Sequence, residues 1–299
     1  MKSLKYFTAT ALLFGTLVSA GQKPVLISED SIHFGTGIYP GFTVTIPEVS
    51  YEKTLGNWVK DQETGTKSKV MTENGEMTIF GAIKKEISPN PVNIYSKLVN
   101  HDTTVLLMAC IELKKDQYIE SSIGDIQCTA ARTYLKEFAK NQYIEVIKGQ
   151  LAAEEKNLKN LENDLNSLEN SNTRTVKGAQ KNKSTIKNEQ DKLIVLNNEL
   201  SQLSASIINE NNLLISMEPG TARDTKALQI QDMDKRKKKL QKQIDAAENK
   251  INKSKSEIDK ADRALPKNEN QQERIKQQIE AQEAVVKKFL DKLNTVKSY

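Results

Sequence analysis

Residue types able to do chemistry are few in this chain, and they are scattered. His33 and His101 are its only histidines. His101 sits in a turn sequence, where a histidine is ordinarily solvated, and neither has the spacing of a metal set. His33-Phe34-Gly35-Thr36-Gly37 is a partial glycine-rich loop. It lacks the full phosphate-binding spacing, and no helix clearly follows it. No nucleophile elbow, HExxH or CxxC is present, and no carboxylate pair can be placed across a bond from sequence alone. Trp58 could stack a sugar, but the single tryptophan of an amphipathic helix more often fills a core. A ligand-binding or weakly hydrolytic site would need a polar pocket converging on His33, Asp102 or Trp58. Cys110 and Cys128 are the only cysteines. They read as buried thiols or as a staple, since an oxidising compartment permits a bridge. The one dense basic run, Lys235-Arg236-Lys237-Lys238-Lys239, offers Lys235, Arg236, Lys238 and Lys239 to an anionic surface. Its alternative is an ordinary solvated face. No catalytic residue, cofactor site or metal site is expected, and the protein reads as non-enzymatic.

The elements that carry these residues fall into three segments. Residues 1–20 have the pattern of an export signal. Lys2 and Lys5 precede an apolar run from Phe7 to Val18, and Val18-Ser19-Ala20 fits a small-x-small cleavage rule. A membrane anchor is disfavoured because spanning takes about 20 apolar residues. An exported chain is therefore expected, in a periplasm or outside the cell, able to touch a membrane surface without spanning it.

Residues 21–128 read as a small α+β head with a mostly antiparallel sheet. Phe42, Val44 and Ile46 alternate with threonines, a period-2 strand that Pro47 ends. Ser50 can cap a short helix with Leu55, Trp58 and Val59 on one side. Asn74-Gly75 between two β runs predicts a hairpin, and Asn100-His101-Asp102-Thr103 predicts a second between Val92–Val99 and Thr104–Leu113. The head carries a net charge of −4, and Thr129 to Tyr299 a net of +7, so the two parts suit different neighbours.

Residues 129–299 read as a coiled-coil hairpin. Every seventh residue from Leu151 to Leu214 is apolar except Asn172, and a second set from Ile230 to Leu293 is apolar except Lys237 and Gln272. Pro219-Gly220 separates them, giving arms of about 129–217 and 224–298 with a bend at 218–223. Thr221 and Asp224 can cap the second arm. At about 1.5 Å per residue, roughly 67 residues give an arm near 100 Å. Asn172, Thr173 and Gly178 weaken one arm; Pro266, Asn268 and Asn270 weaken the other at the same height, which predicts a kink or hinge. The rival is a four-helix bundle with extra turns in those zones. Ile194, Val195, Ile208, Leu213 and Ile215 favour the rival or an oligomer, because they widen the apolar face beyond one seam. Unbroken heptad phase favours the hairpin. If head and hairpin are independent, a chain ended at Gln127 should still fold.

Val44-Thr45-Ile46-Pro47-Glu48, the Trp58 helix, Asn90-Pro91-Val92-Asn93-Ile94-Tyr95, and Phe138-Ala139-Lys140 running into Leu151–Leu168 resemble a group of exported bacterial envelope proteins. These pair a small α+β head with a C-terminal coiled coil. The group carries no established activity, so the resemblance implies an architecture and no site residues. The expected function is a spacer or scaffold with a head that binds a protein partner of the cell envelope. Self-association is compatible with this. Nucleic acid is excluded by export and by the absence of stacking aromatics beside the lysines. The alternatives are a ligand-binding head on a stalk and a periplasmic adaptor of an export system. The adaptor is disfavoured because nearly all globular sequence precedes the hairpin.

Overall fold

The structure, a computed structural model, describes residues 24–35, 37–122 and 125–299. Residues 1–20, which the sequence reads as an export signal, lie outside that range. The chain is α+β: an antiparallel sheet followed by a long α-helical hairpin. It divides into two compact units. One is the head with the adjoining ends of both long helices, through Lys156 and from Ala284. The other is Asn157–Glu283.

In the first unit, β1 (Ile27–Phe34), β2 (Gly37–Pro47), α1 (Tyr51–Glu63), β3 (Met71–Glu73), β4 (Glu76–Ala82), β5 (Val92–His101), β6 (Thr104–Lys114) and β7 (Gln117–Tyr118) precede the long helices. The sheet order is β1-β2-β6-β5-β4-β3, with β7 also on β6. Both anticipated hairpins are present. Asn74 (φ 48°) and Gly75 (φ 81°) make the two-residue turn that closes Glu73 on Glu76, the left-handed pair that twisted strands favour. His101 pairs with Thr104 across Asp102 and Thr103. β1 and β7 carry too weak an alternation to be legible. In the glycine-rich segment after His33, Phe34 ends β1 and Gly37 opens β2, and Thr36 lies outside the described residues.

Alternation along the strands sorts the sheet into two faces. Phe42, Val44, Ile46, Ile79, Ile94, Leu107 and Ile111 point to one side and are fully buried. Helix α1 lies on that side. Ser50 caps it, its hydroxyl accepting from the Lys53 N–H at 3.4 Å. The buried stripe of α1 is Thr54, Trp58 and Gln62; Leu55 and Val59 are half-buried at its margins. The stripe turns toward Gln62 because Ser96 on β5 accepts from both Trp58 Nε1 and Gln62 Nε2, each at 2.9 Å. These two donors are satisfied there, whereas Gln62 Oε1 is buried without a partner.

Helix α2 (Asp125–Ser216) starts four residues before the anticipated 129, and α3 is Thr221–Lys297. Within the first unit, Ala131, Leu135, Ala139, Tyr143 and Ile147 of α2, and Val296 of α3, are fully buried. Arg132 reaches Glu29 on β1 at 2.7 Å and lies over the Phe42 ring. The head's core therefore runs past residue 128 into the long helices.

The second unit is one antiparallel hairpin. Leu168 accepts from Asn268 Nδ2 through its carbonyl at 3.2 Å, and Glu210 pairs with Lys226 at 2.7 Å. One partner's number rises by 42 between these contacts while the other's falls by 42, so the register never slips. Arg236 pairs with Glu199, and Lys250 with Glu189, in the same register. Leu196, Leu240 and Ile244 form a buried cluster flanked by Leu193, Leu200 and Leu203, as the heptads require. There is no four-helix bundle. Both helices run unbroken through the zones around Asn172 and Pro266. Their weakness persists as chemistry: Asn172 Oδ1 is buried without a partner, and Pro266 deprives the Asp262 carbonyl of its helical donor. Pro266 is exposed, so water can satisfy that carbonyl. Pro266→Ala is expected to stabilise the whole chain by about 1–2 kcal/mol, less than the full helix-interior proline cost for that reason. An unchanged thermal melt would show that the proline costs this helix nothing.

Candidate functional site

On the side of the sheet away from α1, Tyr39, Thr43, Tyr95, Lys97, Leu106 and Met108 stay only half-buried, whereas Phe42, Val44, Ile94 and Leu107 on the other side are fully buried. Strand alternation collects aromatic residues there. Tyr39 on β2, Tyr95 on β5 and Tyr118 on β7 are half-buried neighbours, with ring centroids 4.8 to 6.3 Å apart. Phe80 on β4 meets Tyr95 edge-on at 6.2 Å and is 50% exposed. Beneath the tyrosines, Ile32, Phe34 and Cys110 form a small buried cluster with Met108 against it. Gly41 pairs opposite Cys110, and a side chain there would collide with its sulfur and with the Ala109 carbonyl. The glycine thus lets β2 and β6 close over the thiol.

One charge is embedded in this surface. Glu112 is buried, and its carboxylate accepts from Asn93 Nδ2 at 2.7 Å, Tyr95 Oη at 3.2 Å and the Asp116 N–H at 2.8 Å. Burial, followed by the nearby Glu112 charge, pushes the hydroxyl pKa values of Tyr95 and Tyr118 up. Both hydroxyls therefore stay protonated as donors. Burial likewise pushes the Cys110 thiol up to about 12, against a smaller opposing pull from Lys97, so it is a neutral thiol and a poor nucleophile. The surface offers flat aromatic area and hydroxyl groups. That is chemistry for adhesion rather than for bond cleavage.

The residues singled out from sequence do not converge. His33 is exposed at the end of β1, and its carbonyl accepts from Lys97 Nζ at 2.7 Å. His101 and Asp102 are exposed in the β5–β6 turn. Trp58 is wholly buried on the opposite side of the sheet, packed edge-on against Phe138 at 4.8 Å. Cys110 and Cys128 are both buried free thiols rather than a bridge. Cys110 lies in the cluster under the tyrosines, and Cys128 is in the first turns of α2. In the basic run, Lys235 is paired with Asp232 at 2.9 Å and Arg236 with Glu199. Lys237, Lys238 and Lys239 are exposed, with no carboxylate in pairing range among the described residues. Lys238 and Lys239 thus keep the exposure an anionic contact needs; Lys235 and Arg236 are already partnered.

A shallow groove of 610 Å³ separates α1 from the start of α2. At its wall Lys84 Nζ reaches Asp61 Oδ2 at 2.9 Å, and the Tyr134 hydroxyl donates to the same carboxylate oxygen. Asn57 and Gln142 bridge its floor at 2.6 Å. These polar groups satisfy one another, so the groove reads as a packed helix contact.

The tyrosine surface was missed in sequence because its members come from three strands, two of them beyond the legible alternation. The available signal was Asn93-x-Tyr95-x-Lys97 on β5, alternating against Ile94, Ser96 and Leu98. No family model matches the chain, and no curated protein matches it. Among solved structures, the chain is similar to the Smc head domain with a coiled coil and joint derived from Pyrococcus yayanosii, at 14% identity and a TM-score of 0.30. The alignment covers 74% of this chain and 54% of that one, about half its length. At that distance the likeness carries no argument about activity. No helix among the described residues is long and apolar enough to cross a membrane.

Proposed function

We propose that this protein is a non-enzymatic, exported scaffold of the cell envelope, similar in plan to the group its sequence resembles. In this reading the head holds a protein partner and the helical hairpin serves as a spacer. The observation that carries it is the aromatic surface of Tyr39, Phe80, Tyr95 and Tyr118, whose rings touch one another and stay partly open on the sheet face away from α1. Tyrosine and phenylalanine clusters are enriched at the anchors of protein interfaces. The protonated hydroxyls and neutral thiol around them support adhesion over catalysis. Export rests on the sequence of residues 1–20, and a mature chain would begin near Gly21.

A photo-crosslinking residue at position 80 in the native envelope should capture one discrete partner. The same probe at Lys115, in an exposed turn, should capture none. Tyr39→Ser should reduce the adduct by at least about tenfold, the loss expected of a 1.4 kcal/mol anchor. Turnover of a substrate by the purified head, or capture unaffected by Tyr39→Ser, would remove this reading.

A further inference from the structure

We infer that a second copy of this chain docks on the outward face of α2 between Leu193 and Met217. This deepens the scaffold reading without depending on the head's partner. Ile194, Ile208 and Ile215 are 62%, 61% and 78% exposed, and Val195 and Leu213 beside them are 64% and 50% exposed. Elsewhere the two long helices expose only Ile126, Val176, Leu228 and Leu290 among their large apolar residues.

The charge pattern is what makes this face unusual for a solvated coil. Residues 193–217 contain two charged side chains, Glu199 and Glu210, whereas residues 221–245 on the other arm contain twelve. Both glutamates are engaged across the seam, with Arg236 and Lys226. The outward face of α2 is left with isoleucine, valine, leucine, serine, alanine, asparagine and glutamine. A single free-standing coil would charge that face for solubility.

The spacing names the occupant. Ile194, Ser201, Ile208 and Ile215 recur every seven residues, parallel to the inner seam. A stripe of that period stays in phase along a supercoiled helix, so it matches the same stripe on a second supercoiled hairpin. Ser201 and exposed Ala205 between the isoleucines let two backbones approach. An uncharged stripe can face its own copy about a two-fold axis without opposing like charges. A lipid surface fits less well: interfacial helices carry lysine or arginine on their polar side, and α2 has neither between Leu193 and Met217. The stretch is about 36 Å long, and a helix face that long buries roughly 400–500 Å² per copy. At about 800–1,000 Å² for both copies, that lies at the lower bound for a specific interface and fits a weak, concentration-dependent association. The centre of the stripe falls at Ala205.

The test is sedimentation of the full chain from about 1 to 200 µM. The wild-type chain should pass from monomer to dimer mass across that range. Ile194→Lys with Ile208→Lys should weaken association at least about tenfold, because each variant sets a charge without an opposite partner in the apolar contact. Both positions are exposed, so circular dichroism should stay unchanged, which separates lost contact from lost fold. Lys238→Ser with Lys239→Ser should leave association unchanged. Ala205→Cys should form a disulfide-linked dimer on mild oxidation, the native cysteines being buried. A wild-type chain that remains monomeric at the highest concentration, or a dimer indifferent to the double lysine variant, overturns the inference. Monomers that bind anionic vesicles through these same isoleucines also overturn it and assign the stripe to lipid.

Discussion

A chain ended after Gln127 will not fold. The head's own strands supply one wall of its core, and the other wall is built largely by helix α2. Leu135, Phe138, Tyr143, Ile144, Ile147 and Leu151 are all 8% exposed or less, and that truncation removes every one of them. At about 1.5–3 kcal/mol for each large side chain withdrawn from water, their loss removes roughly 9–18 kcal/mol. A domain's net stability is only about 5–15 kcal/mol. Trp58 would lose Phe138 and Tyr134, its aromatic neighbours at 4.8 and 5.9 Å. The exposed core should bind a hydrophobic dye and lack dispersed amide proton resonances. The minimal folding unit is instead residues 24–156 joined by a short linker to 284–299, which keeps the α3 residues Leu293 and Val296. Dispersed resonances from the Gln127 truncation would show that the sheet and α1 suffice. Disorder in the rejoined unit would place the missing stability farther along the hairpin.

The truncation also locates what sequence could and could not reveal. The hairpin was legible because its signal repeats: nine of ten seam positions in the first arm and eight of ten in the second are apolar, and a single Pro-Gly divides them. Individual polar intrusions such as Asn172 could not overturn so many concordant positions. Asn74-Gly75 was legible for a different reason, since few residue pairs tolerate two left-handed conformations in succession. Strand β1 was not, because its sequence, Ile27 to Phe34, mixes Ser, Glu and Asp with few apolar residues. Its place in the sheet is set by pairing to β2 and by Glu29 accepting from Arg132 and from the Ser121 N–H. The boundary at residue 128 follows composition rather than burial. Tyr134, Leu135 and Phe138 read from sequence as packing on the head, and burial continues beyond them through Ile144, Ile147 and Leu151, where lysine and glutamate make the segment look like coil. The tyrosine surface was illegible in principle, because strand order rather than sequence order brings Tyr39, Tyr95 and Tyr118 together.

Breaking the Glu48–Lys292 pair should cost the first unit about 3 kcal/mol. Glu48 follows Pro47 at the end of β2 and adopts a left-handed backbone (φ 58°) that costs a non-glycine residue roughly 1–2 kcal/mol. What holds it is a set of contacts from three directions. Its N–H donates to the Thr103 carbonyl at 2.8 Å, Lys292 Nζ from α3 reaches both carboxylate oxygens at 2.8 Å, and the Tyr143 hydroxyl from α2 donates at 3.1 Å. Lys292 also lies 5.3 Å over the Tyr143 ring. The side chains are 11% and 22% exposed for Lys292 and Glu48, so removing one leaves the other poorly solvated. That asymmetry places the cost at the lower end of the roughly 3–5 kcal/mol seen for buried pairs. Lys292→Met and Glu48→Gln should each lower the thermal midpoint, and the double variant should lose less than their sum. The pH dependence has a definite sign. Burial alone would raise the Glu48 pKa, but Lys292 and then Tyr143 outweigh it and hold the carboxyl below its ordinary value. Its stabilisation is therefore complete above the unfolded value of about 4.3 and is lost as pH falls through the lower folded value. Wild-type stability should decline in that acid window, and Glu48→Gln, with nothing to titrate there, should begin lower at pH 7 and decline less. Strictly additive single variants with parallel pH profiles would mean that the two residues stabilise the unit separately, and that the end of α3 is held by Leu293 and Val296 alone.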